Sequence, residues 1–259
     1  MAAWFVEARD LLRSDVVEAH DAIRSGPGRA RPFARWESLE VNGLRRGVVL
    51  RAHKPTGEDL IETDGGLQRT VDVPLADHSR GVRDFAERFA KQVNLAGPLQ
   101  RALRTAGYVH DLGKADPRFQ ARLGAQSGET LAKSARYNGR VEMGERHEVY
   151  SVALLDQHPE LLADHEEHRD LIRYLIGTHH GFGRGFHPIK EDGGTMFEVE
   201  HDGQRYFYSG KPALSALASD WTDLFVDLHR LYGAWGLAYL EAILRLADHR
   251  RSELEMEEA

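Results

Sequence analysis

The chain has 259 residues, 41% of them hydrophobic and 29% charged, with a formal net charge of −7. These values are typical of one or two soluble globular domains with a full core, and an acidic chain binds nucleic acid weakly by charge alone. The lack of cysteine excludes disulfides, iron–sulfur clusters and cysteine nucleophiles, and it suits the reducing cytoplasm. No apolar run is long enough for a membrane helix, so we expect no membrane partner.

The first 75 residues predict a small mixed α/β region. Apolar periodicity predicts an amphipathic helix over residues 4–25. Strands follow over residues 38–75, where Asn42-Gly43 and Asp64-Gly65-Gly66 are typical hairpin turns. We interpret this region as an extension, or as the remnant of a preceding region, with no assigned function. The chain is accordingly divided into residues 1–75, a helical domain at 76–255, and the end of an acidic tail at 256–259.

From Pro74 onward the pattern is helical, which predicts a mainly α fold. The exception is the segment 196–209, where alternating aromatic residues flank Asp202-Gly203 and predict an inserted β-hairpin. A long apolar helix is predicted over residues 232–250. The acidic run that follows, from Ser252, is expected to fray.

Five predicted helices each place a histidine or an aspartate in phase with their apolar stripe. For example, His78 precedes Val82 by four residues, and the apolar positions Leu240 and Leu244 lead in phase to Asp248. Burying so many imidazoles and carboxylates is costly unless a partner compensates, and divalent cations would do so. The residues in phase are His78, His110, His147, His179 and Asp248, and Asp111 and His180 directly follow two of them.

Seven such ligands are too many for one ion that keeps an open position, so the pattern favours two divalent ions bridged by a carboxylate. The first ion would be held by His78, His110, Asp111 and Asp248. The second would be held by Asp111, His147, His179 and His180. Mixed imidazole and carboxylate ligands rank Mn, Fe, Ni and Co ahead of Mg and Zn. Two divalent ions outweigh the charge of two aspartates, which predicts a phosphate-ester substrate.

Four segments together resemble the HD nuclease domain of CRISPR-associated type I helicase-nucleases, within the HD phosphohydrolase superfamily. They are HDLGKADPRFQ (110–120), RHE (146–148), THHGFGR (178–184) and LADHRRS (246–252). The resemblance covers residues 76–255 and implies a helical bundle around a di-metal site. It also implies an antiviral, metal-dependent DNA nuclease that prefers single strands and uses a water activated by two metal ions. The implied partners are single-stranded DNA, an RNA-guided surveillance complex, and a helicase that is a separate chain or a missing part of this one.

The resemblance also assigns roles residue by residue. It implies the same two ligand sets, with Asp111 shared between them, and it implies that Asp111 and Lys114 are catalytic. Gly113, in the HDxGK pattern, permits a tight turn that brings Lys114 towards the metals. The substrate contacts it suggests are Lys114, Arg184 and Ser252.

A rival interpretation is an HD-superfamily phosphohydrolase that acts on nucleotides or cyclic dinucleotides, since such enzymes share the metal chemistry. The segments KADPRFQ and HHGFGR favour the nuclease. A degenerate HD module used only for binding would lack ligands, whereas all seven positions are filled here.

Overall fold

The computed structural model describes residues 34–41, 44–52, 71–138, 141, 146–181, 193–212 and 220–257, with only the backbone of the first two segments. The chain divides into two compact units, residues 1–59 and 60–259. The helix predicted over residues 4–25 and the turn predicted at Asp64-Gly65-Gly66 lie outside the described residues. The division into residues 1–75, 76–255 and 256–259 stays a prediction.

The first unit contains the hairpin predicted around Asn42-Gly43. Strands β1 (Ala34–Val41) and β2 (Leu44–Ala52) pair antiparallel, with a shift of register between Leu39 and Glu40. The hairpin prediction is therefore confirmed for this pair of strands.

The second unit is mainly helical, as predicted. Its helices are α1 (Leu75–Gln92), α2 (Gly97–Val109), α3 (Pro117–Leu123), α4 (His147–Gln157), α5 (Arg169–Thr178) and α6 (Trp221–Glu257). Two 3₁₀ segments, Leu112–Ala115 and Pro159–His168, connect them. No helix in the described part of the chain is long and apolar enough to cross a membrane.

The helices pack around one apolar core because each presents a buried stripe to its neighbours. Helix α1 buries Val82, Ala86 and Ala90 and packs against α2 and α6. Helices α4 and α5 pack against each other, and α4 also covers the 3₁₀ segment Leu112–Ala115. This packing brings the C-terminal ends of α2 and α5 and the N-terminal end of α4 towards the same part of the core.

The strands of the second unit form two small pairs. Strand β3 (Val73–Pro74) pairs with β4 (Leu131–Lys133), and β5 (Thr195–His201) pairs with β6 (Gln204–Gly210). Asp202 and Gly203 both have positive φ, 51° and 73°, which is the geometry that a two-residue hairpin turn requires. The inserted hairpin predicted at 196–209 is confirmed.

The last helix differs from its prediction at both ends. We expected a helix over 232–250 followed by a frayed acidic run, but α6 extends over Trp221–Glu257, with a break at Gly233 (φ 69°, ψ 166°). Glu255 is only 3% exposed. The expectation of fraying is wrong here, because the buried carboxylate has partners in the core.

Candidate metal centre

The seven residues predicted as ligands come together from five elements. His78 lies in α1, His110 and Asp111 follow α2, and His147 is the first residue of α4. His179 and His180 follow α5, and Asp248 lies in α6. The side chains of the set are buried except for those of His180 and Asp248, which are partly exposed. The apolar phase of each helix thus places its polar residue in the interior.

Asp111 lies between two groups of imidazoles. Its Oδ1 is 3.1 Å from Nε2 of His147 and 3.7 Å from Nε2 of His179. Its Oδ2 is 3.5 Å from Nε2 of His78 and 3.3 Å from Nε2 of His110. Each carboxylate oxygen therefore faces a different ligand set.

The remaining two residues, Asp248 and His180, each add to one of these sets. Oδ1 of Asp248 is 3.1 Å from Nε2 of His78, and Nε2 of His180 is 3.1 Å from Nε2 of His147. The ligand atoms that lie close enough to share an ion form two groups, and Asp111 belongs to both. The first group contains Asp111, His147, His179 and His180, and the second contains Asp111, His78 and His110. Asp248 lies beside the second of these groups through its contact with His78.

Hydrogen bonds on the far side of three rings fix how those rings point. Nδ1 of His110 donates to the carbonyl of Gly107 at 3.0 Å, and Nδ1 of His179 donates to the carbonyl of Ile176 at 2.6 Å. A carbonyl oxygen only accepts, so Nδ1 carries the proton and Nε2 presents its lone pair. Nδ1 of His78 is held in the same way by Oε1 of Glu255 at 2.8 Å.

The inward-facing atoms fit metal ions. Nε2 of His78, His110 and His179 and both carboxylate oxygens of Asp111 are buried and form no hydrogen bond with the described residues, although Nζ of Lys114 is an ion-pair neighbour of Oδ2. Buried polar atoms that form no hydrogen bond are rare and costly. Oriented imidazole and carboxylate lone pairs are the donors that divalent transition metals bind.

The charges of the centre also suit metal binding. Burial raises the pKa of Asp111, but His110 and Lys114 outweigh burial and hold that pKa well below its usual range. Burial likewise opposes ionisation of Asp248, and His78 reverses the effect, so its pKa is also held well below its usual range. Burial, together with His180 and His110, lowers the pKa of His179 well below its ordinary value. Ionised carboxylates and a neutral imidazole are the forms that ligate metals.

Lys114 belongs to this centre, as the HDxGK pattern implied. It is 3% exposed, and its Nζ lies 2.9 Å from Oδ2 of Asp111. The preceding Gly113 allows the approach, because a Cβ at that position would lie 2.1 Å from the carbonyl oxygen of His147. The N–H of Gly113 also donates to Oγ of Ser151 at 2.9 Å, which joins the 3₁₀ segment Leu112–Ala115 to α4.

The two other predicted substrate contacts have different outcomes. Arg184 lies outside the described residues. Oγ of Ser252 accepts a hydrogen bond from Lys133 and lies 3.4 Å from Oδ1 of Asp248. The geometry thus places Ser252 behind a ligand, and its contact with substrate stays a prediction.

Three buried charged residues around the centre were not predicted. Glu255 and Lys133 form a pair, with Nζ 2.9 Å from Oε2, on the side of His78. Glu148 pairs with Arg146 beside His147. Burial raises the pKa of Glu148, but His147, His180 and Arg146 outweigh burial and lower it. Only weak features of the sequence point to the two glutamates. Glu148 follows His147 directly, and Glu255 lies seven residues after Asp248, on the same helix face.

Comparison with known proteins identifies the family of the chain. A family model described as Cas3, HD domain matches residues 70–242, well over half of the chain. No curated protein and no solved structure matches the chain. Asp248 and Glu255 lie beyond the matched residues, so their place in the centre rests on geometry. The chain belongs to the Cas3 HD-domain family, which indicates a metal-dependent nuclease of CRISPR systems.

Proposed function

We propose that this chain hydrolyses phosphodiesters of single-stranded DNA with two divalent metal ions, in CRISPR interference. The observation that carries the proposal is the position of Asp111. Its Oδ1 faces His147 and His179, and its Oδ2 faces His78 and His110. A carboxylate shared between two buried ligand sets is typical of two-metal hydrolytic sites.

The ligand sets define which residues would hold each ion. One ion would lie among His78, His110, Asp111 and Asp248, and the other among Asp111, His147, His179 and His180. When bound, two such ions lower the pKa of a water and stabilise charge on the attacking and leaving oxygens. The imidazole-rich ligands favour a transition metal over Mg, and we propose Mn, Fe, Ni or Co as the bound ions, with Zn ranked below them.

The chain's own contribution is to hold these groups rigidly in a dry site. The backbone carbonyls of Gly107 and Ile176 fix two of the imidazoles, so little reorganisation is needed when a substrate arrives. Nζ of Lys114 lies 2.9 Å from Oδ2 of Asp111. We assign it to a non-bridging oxygen of the scissile phosphate, where its charge stabilises the transition state.

The partners follow from the family and from charge. A net charge of −7 gives little sequence-independent affinity for DNA, since that affinity comes from neutralising phosphates with Lys and Arg. We therefore propose that a CRISPR-associated helicase and an RNA-guided surveillance complex deliver the strand. Arg184 is proposed to contact the DNA backbone.

The test is cleavage of circular single-stranded DNA by metal-stripped protein, with Mn²⁺, Ni²⁺, Co²⁺, Zn²⁺ or Mg²⁺ added back. A circle has no ends, so its loss requires an endonuclease. We expect cleavage with a transition metal and none with Asp111→Asn. Asp116→Asn is the matched control, because Asp116 is also buried but caps α3 by accepting from the N–H of Arg118, which asparagine also does.

Two results would overturn the proposal. One is equal cleavage by Asp111→Asn and the wild-type chain. The other is an intact circle together with rapid hydrolysis of nucleotides or cyclic dinucleotides, which would assign the centre to small-molecule phosphate esters.

A further inference from the structure

A buried carboxylate lies directly behind His78. Oε1 of Glu255 is 2.8 Å from Nδ1 of His78, and Oε2 is 2.9 Å from Nζ of Lys133. Glu255 and Lys133 are 3% and 4% exposed. Nε of Arg251 lies 2.9 Å from the same Oε1. A carboxylate paired with an ammonium and a guanidinium accepts hydrogen bonds, so it serves as the acceptor for Nδ1 of His78.

Nδ1 of His78 needs a side chain as its hydrogen-bond acceptor because of where His78 lies in the fold. His110 and His179 follow the ends of helices, where carbonyl groups are left without helical partners and accept from Nδ1. His78 lies inside α1, where the surrounding carbonyl oxygens accept helical N–H groups. The acceptor for its Nδ1 comes instead from a side chain 177 residues away in sequence.

Lys133 connects the same carboxylate to a second ligand. Besides Glu255, its Nζ donates to Oγ of Ser252, and that hydroxyl lies 3.4 Å from Oδ1 of Asp248. The buried ammonium thus supports His78 through Glu255 and Asp248 through Ser252. One network from β4 and α6 holds both His78 and Asp248.

We propose that Glu255 is a positioning residue of the metal centre, which keeps the proton of His78 on Nδ1 and aims Nε2 at Asp111 and Asp248. The inference rests on the proposed function and deepens it. Carboxylates that accept from the far nitrogen of a histidine ligand fix its tautomer and raise its basicity. Methionine at 255 is similar in length but has no carboxylate oxygen, so Nδ1 of His78 loses its acceptor and the ring is no longer held with its proton on Nδ1.

The test measures Mn²⁺ affinity of the metal-stripped full chain by isothermal titration calorimetry. Loss of a partner behind a ligand typically weakens metal affinity about 10–100-fold, and we expect a loss in that range for Glu255→Met. The matched control is Glu241→Met. Glu241 is also a buried glutamate of α6, but it accepts from the hydroxyl of Tyr174 at 2.8 Å and should leave the affinity unchanged.

A double variant separates hydrogen bonding from charge. Glu255→Met alone leaves Lys133 buried without its counter-charge, which by itself repels a cation and destabilises the fold. Lys133→Met with Glu255→Met removes the buried ammonium together with the carboxylate and leaves only Arg251, which is 19% exposed, without this partner, so it also serves if the single variant does not fold. We expect its affinity to stay at least about 10-fold below wild type, as for loss of a ligand's outer partner.

The outcomes distinguish this inference from the proposed function. Wild-type affinity in Glu255→Met, or its recovery in the double variant, would overturn the positioning role, while metal binding and DNA cleavage by the wild-type chain would still stand. A wild-type chain that binds no Mn²⁺ would overturn both.

Discussion

Asp111 and Lys114 lie next to each other in the centre, but they are expected to act differently. Asp111 supplies an oxygen to each ligand set. Lys114 carries no metal-binding lone pair when protonated, and its Nζ lies 2.9 Å from Oδ2 of Asp111. Its loss should therefore affect the reaction and leave metal binding intact.

Lys114→Met is expected to lower kcat about 100-fold, as for removal of one group that stabilises developing charge. Methionine fills a buried position of similar length, and Mn²⁺ affinity should not fall, because the change removes a positive charge. Steady-state cleavage and calorimetry measure the two quantities. Lys91→Met is the control, since Lys91 is exposed and pairs with Glu87 one helical turn away. Activity within about threefold of wild type would contradict the assigned role, because that corresponds to under 1 kcal/mol.

At the residue scale, the sequence predicts the ligands but not their supports. His78 and Asp248 can be predicted as ligands because each is in phase with the apolar stripe of its own helix. The roles of Glu255 and Lys133 cannot be predicted in that way, because Glu255 lies 177 residues from His78 and 122 residues from Lys133 in sequence. Glu255 belongs to an acidic run that has the composition of a solvated tail.

The 3₁₀ segment Leu112–Ala115 and α4 fit together only because residue 113 has no side chain. A Cβ there would lie 2.1 Å from the carbonyl oxygen of His147 and 2.6 Å from the N of Ser151. Both are backbone atoms, so relief requires a shift of one element against the other. That shift would change the distance between Asp111 and His147, which share an ion in our proposal.

Gly113→Ala is expected to destabilise the fold by about 1–3 kcal/mol, the usual cost of overpacking, and to weaken Mn²⁺ binding. Chemical unfolding of the metal-free protein and calorimetry measure these effects. Gly236→Ala in α6 is the control, because its Cβ would have its nearest neighbour at 3.6 Å, and alanine is the better helix former by about 1 kcal/mol. Equal stability of the two variants would show that the close approach is unimportant.

At the element scale, helix type was more predictable than helix length. The hairpin at β5 and β6 was evident from Asp202-Gly203, whose positive φ values match the turn. The length of α6 was not evident, because its last turns are held by Glu255 through His78 and Lys133. Such long-range contacts override the local preference of an acidic run.

At the scale of the whole molecule, five elements of the second unit converge on one carboxylate. No single element forms the site: α1 supplies His78, α4 supplies His147 and α6 supplies Asp248. The periodicity of each helix predicts that its polar residue faces inward. It does not predict which atoms meet, and the division of the Asp111 oxygens between two sets required the folded structure.

The account's central claim is that this convergence builds a site for two ions, and native mass spectrometry after saturation with Mn²⁺ tests it most directly. We predict two ions for the wild-type chain and one for His179→Ala, which removes a ligand of one set. His201→Ala should still bind two, because His201 packs against Tyr108 and belongs to neither group of ligands. A wild-type chain that binds one ion or none at saturation would contradict the account.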